Sequence, residues 1–301
     1  MLTIPAFAKV NYTLDILGRR PDGYHNLASL MQTISLADEI TLIRSSRSGI
    51  ILKCSDPVIP SGPKNLAWRA AQSALNAANR SDGVTIRLLK RTPIQAGLGG
   101  GSSDAAATLR GMNHLFELGL SQEKLLELAA ELGSDVPFFL VGGTASVRGR
   151  GEQITALPDG PELWFVVVKP AQSVSTAKAY QAMDDNKNRK SARATREMEM
   201  RLSEGDIGRI ISRMANDFED VIFAGSLPIS LVQDDLLMAR ARIARLCGSG
   251  SAVFGVLTGE ADAKETLRLI QLKYPDAFLC HTVNRADALA FSKEEADESK
   301  Y

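Results

Sequence analysis

The segment Pro93-Ile-Gln-Ala-Gly-Leu-Gly-Gly-Gly-Ser-Ser-Asp carries four glycines at positions 97–101, directly ahead of an apolar-periodic run. Glycines at that density let backbone N–H groups turn inward at positive φ and come close to a ligand. A following helix adds unpaired N–H groups and the positive end of its dipole, which together favour phosphate. Gly97, Leu98, Gly99, Gly100, Gly101, Ser102 and Ser103, entered from Pro93, are therefore the candidate phosphate cradle, with Ser102 and Ser103 placed where a hydroxyl could touch a phosphate or a Mg²⁺ shell. The chain has no GK[ST] and so no Walker A loop. Ser102 stands where a dinucleotide fingerprint needs its third glycine, and the HRD and DFG signatures of protein kinases are missing.

Phosphoryl transfer to an alcohol needs its phosphates held, a cation to neutralise charge, and often a carboxylate to take the hydroxyl proton. Lys9 lies between Ala8 and Val10 in an apolar strand, with Asn11 on the same face. A lysine whose head reaches solvent from an edge strand is the competing reading. Asp135, in Gly133-Ser-Asp-Val-Pro-Phe-Phe-Leu, follows one helix and precedes an apolar run. A turn or helix-cap role competes there, but a carboxylate beside such a run is expected to be half-buried, and half-buried carboxylates near a lysine mark sites. A second glycine turn, Cys247-Gly-Ser-Gly-Ser-Ala, is either a plain hairpin or a backbone wall close to the same ligand.

These residues need a scaffold. The 301 residues, 45% apolar and 23% charged, suit a folded chain of two modest domains. Lys and Arg number 35 against 35 Asp and Glu, so no basic surplus points to nucleic acid or anionic lipid. Cys54, Cys247 and Cys280 are scattered, and His25, His114 and His281 form no HExxH, which argues against disulfides and structural zinc. No apolar run approaches the ~20 residues that span a bilayer, and the first residues do not read as a signal peptide. A cytoplasmic location is expected.

Strands are expected at 4–16, 28–44, 49–53, 84–90 and 162–170, and a hairpin-rich stretch follows Gly142-Gly143. Helices are expected at 64–79, 102–118, 121–132 (capped by Ser121), 175–183, 191–202, 227–240 and 260–274. Residues 242–257 read as strand, glycine turn, strand, and 276–283 as a last strand. The fold class is α+β, with a boundary placed near residue 158, giving 1–158, 159–290 and a polar tail at 291–301.

Three segments in this order, Pro5-Ala-Phe-Ala-Lys-Val-Asn, PIQAGLGGGSSDAAA and CGSGSAVFG, resemble the GHMP kinase superfamily. A narrower resemblance, to members of it that phosphorylate a cytidyl diphosphate alcohol for isoprenoid precursors, rests on AKVNYTLDILGRRPDGYHNL, LGSDVPFFLVGGTASVRGRGE, VSTAKAY and NDFE. The resemblance implies an N-terminal ribosomal protein S5-like domain, a C-terminal ferredoxin-like domain, and an ATP- and Mg²⁺-dependent kinase acting as a monomer or weak homodimer on small molecules. By motif, Asp135 would be general base to the acceptor's 2-hydroxyl, with Lys9 holding both. Asn65 would lie near adenine. Tyr24, His25 and Tyr180 would read the cytosine ring, and Asn11 would line the substrate channel. From the residues alone, Tyr24-His25 reads as an exposed turn and Tyr180 as an ordinary helix aromatic. No glutamate can be placed for the metal, which leaves Ser102 as its candidate. The basic stretch 187–196 reads as a solvated loop, though it could approach a diphosphate. The alternatives are another GHMP kinase, of mevalonate, homoserine or sugar type, and a nucleotide-binding sensor that lost the chemistry.

Overall fold

The computed structural model describes residues 1–186 and 193–291. Lys187, Arg189 and Lys190 of the basic stretch, and the tail beyond Phe291, lie outside them.

Two long strands organise the molecule. β1 (Leu2–Arg19) and β2 (His25–Ser45) pair antiparallel along almost their whole length, joined by the Pro21-Asp22-Gly23 turn. β2 has 21 residues, so its other edge serves two partners. Residues 39–45 pair with β4 (Gly83–Leu89), and residues 27–32 with β5 (Thr144–Gly149). β3 (Gly49–Cys54) extends the sheet beyond β4, β6 (Gln153–Ala156) forms a hairpin with β5, and the two-residue β8 (Ala215–Asn216) covers the free edge of β1. A second sheet has the order β11 (Phe278–His281), β7 (Trp164–Val168), β10 (Val253–Leu257), β9 (Ile243–Leu246), all antiparallel. The sheets meet at the Ile34–Thr282 bridge and the Val283 N–H bond to Thr33 O at 2.9 Å.

Helices α1 (Leu66–Ala77), α2 (Gly100–Leu115), α3 (Gln122–Leu132) and α4 (Val136–Val141) pack against the first sheet and one another. Small faces allow the close approach. Ala67, Ala70, Ala71 and Ala74 of α1 are fully buried, as are Ala105 and Ala106 of α2. A Cβ at Gly111 would fall 2.3 Å from Ile4 Cδ1. Ser121 caps α3 as expected, accepting from Lys124 N at 3.2 Å. After β7 come α5 (Thr176–Asp185), α6 (Ala194–Glu204), α7 (Ile207–Arg213), α8 (Glu219–Gly225) and α9 (Leu227–Met238), then α10 (Glu260–Gln271) between β10 and β11, and α11 (Arg285–Ala288).

The expected α+β class is what is found. The unexpected elements are α4, α7, α8, α11 and β8, all of seven residues or fewer, too short to show a helical or alternating period. Helix α2 starts at Gly100, so Gly100 and Gly101 belong to its first turn rather than to the loop. Among the described residues no single helix is long and apolar enough to cross a membrane.

Candidate active site

Lys9 owes its direction to an irregularity in β1. Ile4 and Ala6 pack in the core shared with α2, whereas Ala8, Val10 and Tyr12 pack in the second core, with Phe165 and Phe254. The exchange coincides with two irregularities in the pairing with β2: a two-residue shift between Phe7 and Ala8, where the partner passes from Ala37 to Ile34, and a one-residue shift between Asn11 and Thr13. Bulges of this kind bend a strand and re-aim its side chains. Between the two shifts, Lys9 and Asn11 point to the side where α2 begins. Lys9 is 2% exposed on a strand with neighbours on both edges, which removes the edge-strand reading. Its ammonium donates to Asn11 Oδ1 at 2.8 Å and to Gly97 O at 2.7 Å, and lies 3.7 Å from Asp135 Oδ2.

The glycine loop folds over this lysine. Gly97 (φ +77°) and Gly99 (φ +74°) occupy left-handed backbone, and Gly99 stands at the cap of α2. Leu98 O accepts from Lys9 N at 3.0 Å, fastening loop to strand. The second glycine turn is the wall the sequence suggested. Ala252 N donates to Ala96 O at 3.1 Å, and a Cβ at Gly97 would lie 1.8 Å from Cys247 O. One at Gly248 would lie 3.2 Å from Lys9 Nζ. Two turns some 150 residues apart in sequence are thus in backbone contact around one ammonium.

Both turns open onto one cleft of about 460 Å³, lined also by Asn11, Asn65, Pro93, Ser102, Asp135 and Tyr180. Asp135 precedes α4, and its side chain makes no capping bond, so it is free for chemistry at about one-third exposure. Burial, then the nearby Asp135 charge, pushes the Tyr180 hydroxyl up to about 12. Phe218 backs Tyr180 edge-on at 5.0 Å.

Four expected residues sit differently. Ser103 donates its hydroxyl to Phe7 O at 2.7 Å and is 3% exposed, so it ties α2 to β1 instead of facing a phosphate. His25 lies behind the cleft wall, stacked on Tyr180 at 4.6 Å with Nε2 2.7 Å from Asp184 Oδ1. Those two rings touch, so no base fits between them. Tyr24 stays exposed on its turn, beneath the Arg150 guanidinium. Asn65 lines the cleft, but its side chain caps α1 through Ala67 N at 2.8 Å and donates to Pro60 O at 2.9 Å.

Sequence reasoning missed a buried charge cluster at the floor. Lys90 pairs with Asp38 and, at 2.9 Å, with Asp104. Lys90 and Asp104 line the cleft, and Lys90 Nζ lies 3.3 Å from where a Cβ of Gly100 would stand. Asp38 also accepts from the N–H groups of Arg91 and Thr92. Burial drives the Asp104 carboxyl up to about 7 against the pull of Lys90, while the two carboxylates hold the Lys90 ammonium above its usual range in spite of burial. Asp104 Oδ1 is buried without a hydrogen-bond partner. The signal available was the acidic pair Asp38-Glu39 inside a largely apolar stretch of β2. Among the described residues no group of three or more His, Cys, Asp or Glu is placed to hold a metal. The Ser102 hydroxyl lines the cleft at the loop and the buried Asp104 Oδ1 lacks a partner; together they are a hard-donor pair of the kind Mg²⁺ takes alongside phosphate and water.

Residues 65–143 match the family model for the GHMP kinases N terminal domain. The 4-diphosphocytidyl-2-C-methyl-D-erythritol kinase of Moorella thermoacetica is 44% identical over 285 residues, 94% of this chain and 99% of that one. Its namesake from Geobacter metallireducens is 44% identical over 263 residues, covering 87% and 92%. A crystal structure of 4-(cytidine 5'-diphospho)-2C-methyl-D-erythritol kinase superposes with a TM-score of 0.78 at 34% identity, over 93% of this chain and 98% of that one. Homoserine kinase from Cytophaga hutchinsonii, at 20% identity and a TM-score of 0.71 over 95% and 96%, shares the fold. Identity at this level over nearly the full length of both chains means that the chain belongs to the 4-diphosphocytidyl-2-C-methyl-D-erythritol kinase family of the GHMP kinases.

Proposed function

We propose that this chain transfers the γ-phosphoryl group of ATP to the 2-hydroxyl of 4-diphosphocytidyl-2-C-methyl-D-erythritol. The observation that carries the reading is the convergence of Lys9, Asp135 and both glycine turns on one cleft. The N–H groups of the loop and of the first turn of α2 cradle the phosphates. The acceptor hydroxyl lies against Asp135, which takes its proton as the oxygen forms the new bond to phosphorus. The bond from the γ-phosphorus to the β–γ bridging oxygen breaks, and ADP leaves with that electron pair. Lys9, fixed by Asn11 and Gly97, orients the carboxylate and offsets charge gathering on the acceptor oxygen. Ser102 and Asp104 would hold the Mg²⁺ that accompanies ATP, which would neutralise phosphate charge. Residues 1–158 supply the loop, lysine and base, and 159–290 supply the wall and Tyr180, the division read from the sequence.

Cytosine recognition in this reading falls to Tyr180 on the cleft side and to the exposed ring of Tyr24. His25 acts from behind by setting the plane of the Tyr180 ring. Intact Lys9 and Asp135 in mutual reach weigh against a sensor that lost the chemistry. A coupled ADP-release assay tests the assignment. Turnover is expected with the cytidyl alcohol, and Asp135→Asn should lower kcat by about 10²–10⁴-fold. Equal turnover with mevalonate or homoserine, and none with the cytidyl alcohol, would overturn it.

A further inference from the structure

The segment Asn216-Asp-Phe-Glu219 supplies no group to the transfer just described, yet every member makes a specific contact at the rear of the site. Asn216 is 5% exposed and does not line the cleft. Its Nδ2 donates to Leu246 O at 2.9 Å and Gly248 O at 2.7 Å, and its Oδ1 accepts from Phe218 N at 3.0 Å. Glu219 Oε1 accepts from Leu246 N at 2.8 Å, so both polar groups of that peptide position are held by the same segment. Asp217 Oδ2 accepts from Ile16 N at 2.7 Å, anchoring the segment to β1.

The geometry has a directional consequence. In a trans peptide the C=O and the following N–H point in opposite directions. Gly248 O points back to Asn216, so Ser249 N–H points the other way, to the side on which Gly248 and Ser249 line the cleft. A Cβ at Gly248 would lie 3.1 Å from Gly97 O and 3.2 Å from Lys9 Nζ, so little space separates this turn from the ammonium. We infer that Asn216 is a positioning residue for phosphoryl transfer: by holding the Leu246 and Gly248 carbonyls away from the cleft, it aims the Ser249 amide at the phosphates and seats the Lys9 ammonium. This inference rests on the kinase reading above.

The charged and titratable groups around position 216 are Asp217 and Glu219 on its own segment, Arg245 at 3.8 Å from Glu219, buried Cys247, and Lys9 beyond Gly248. A carboxylate replacing the amide would confront two carbonyl oxygens. It would be unable to donate until protonated, and burial away from water makes that protonation easier.

The test compares wild type with Asn216→Ala and Asn216→Asp in steady-state kinetics from pH 5.5 to 8.5, with melting curves alongside. At pH 8, both variants are expected to lose about 10²-fold in kcat, the scale of a small misplacement of reacting groups, with KM for the cytidyl alcohol changed less than threefold. Asn216→Asp alone should recover at least fivefold relative to wild type as pH falls to 5.5, since its protonated carboxyl again donates. A folded Asn216→Ala with wild-type kcat would overturn the inference, and so would parallel pH profiles for Asn216→Asp and Asn216→Ala. Should a variant fail to fold, the remaining one decides, and Asn216→Ser, which keeps one donor, takes the missing place with an intermediate kcat expected. Failure of the kinase reading is recognised separately, as absence of turnover by the wild-type enzyme.

Discussion

Replacing Gly97 by alanine should damage this protein far more than the same change at Gly101, four residues on. At Gly97 the backbone is left-handed (φ +77°), and the new Cβ would stand 1.8 Å from Cys247 O and 2.7 Å from its carbonyl carbon. Left-handed backbone costs a non-glycine residue roughly 1–2 kcal/mol, and forcing a methyl into closed packing adds about 1–3 kcal/mol. Backbone cannot rotate aside as a long side chain can, so the two turns must part. A loss of roughly 2–5 kcal/mol follows, and at ~2–4 °C per kcal/mol Tm falls by about 4–20 °C. Gly97 O also holds Lys9 at 2.7 Å, so kcat should fall with it. Gly101 is helical, and a Cβ there meets only Leu66 Cδ1 at 3.9 Å. Alanine at that position should raise stability by about 0.5–1 kcal/mol through helix propensity. Differential scanning fluorimetry with circular dichroism on both variants measures the contrast. A Gly97→Ala protein melting within 2 °C of wild type, or a Gly101→Ala protein as damaged as Gly97→Ala, would refute the idea that contact between the two turns holds the loop.

Lys90→Met leaves the buried Asp38 and Asp104 without their shared cation, and urea unfolding should show a loss of about 3–5 kcal/mol, as for a broken buried pair; adding Asp104→Asn should restore part of it. Glu219, pushed up to about 7 mainly by burial, binds its proton more tightly folded than unfolded. Its contribution to stability is therefore complete below pH ~4.5 and is lost as pH rises through about 7. Glu219→Gln should remove this, so the gap in unfolding free energy between wild type and variant, measured by urea unfolding, shrinks or reverses from pH 5 to pH 7.5, by up to about 3 kcal/mol; a pH-independent gap would contradict the assignment.

Most of the scaffold was legible because its elements are long and plainly patterned. β1, β2, α1, α3 and α10 each carry enough residues for alternation or a 3.6-residue period to stand out, and Ser121 marks a helix start by its chemistry alone. The loop was legible for a different reason, since four glycines within residues 97–101 have few uses apart from close backbone approach. What escaped depends on contacts between distant segments. Ser103 looked equivalent to Ser102, but one helical step, about 100°, turns it from the cleft to Phe7 O. The Asp38–Lys90–Asp104 cluster joins three elements whose proximity no local pattern announces. His25 could be tied to the site by resemblance, but its place behind Tyr180 depends on where α5 docks.

The orientation of Lys9 shows the limit most clearly. Alternation alone puts Ile4, Ala6, Ala8, Val10 and Tyr12 on one face of β1 and Lys9 on the other, and it correctly pairs Lys9 with Asn11. It cannot say which of the two cores that other face meets. At the two-residue irregularity between Phe7 and Ala8 the strand passes from the first core to the second, which receives Ala8, Val10 and Tyr12, while Lys9 meets the start of α2. The shift between Asn11 and Thr13 then restores Leu14 and Ile16 to the first core and sends Asp15 to the opposite side, where its carboxylate accepts from Ala194 N and Thr195 N, both at 3.0 Å, at the start of α6. One strand thus serves both sides of the molecule: its middle third faces the cleft, and its last third holds the helix leading towards Asn216. Because β2 and β8 pair with its two edges, the cation at its centre is fixed by the fold itself. That is the condition under which a lysine can orient a carboxylate and an acceptor oxygen without first being ordered by substrate.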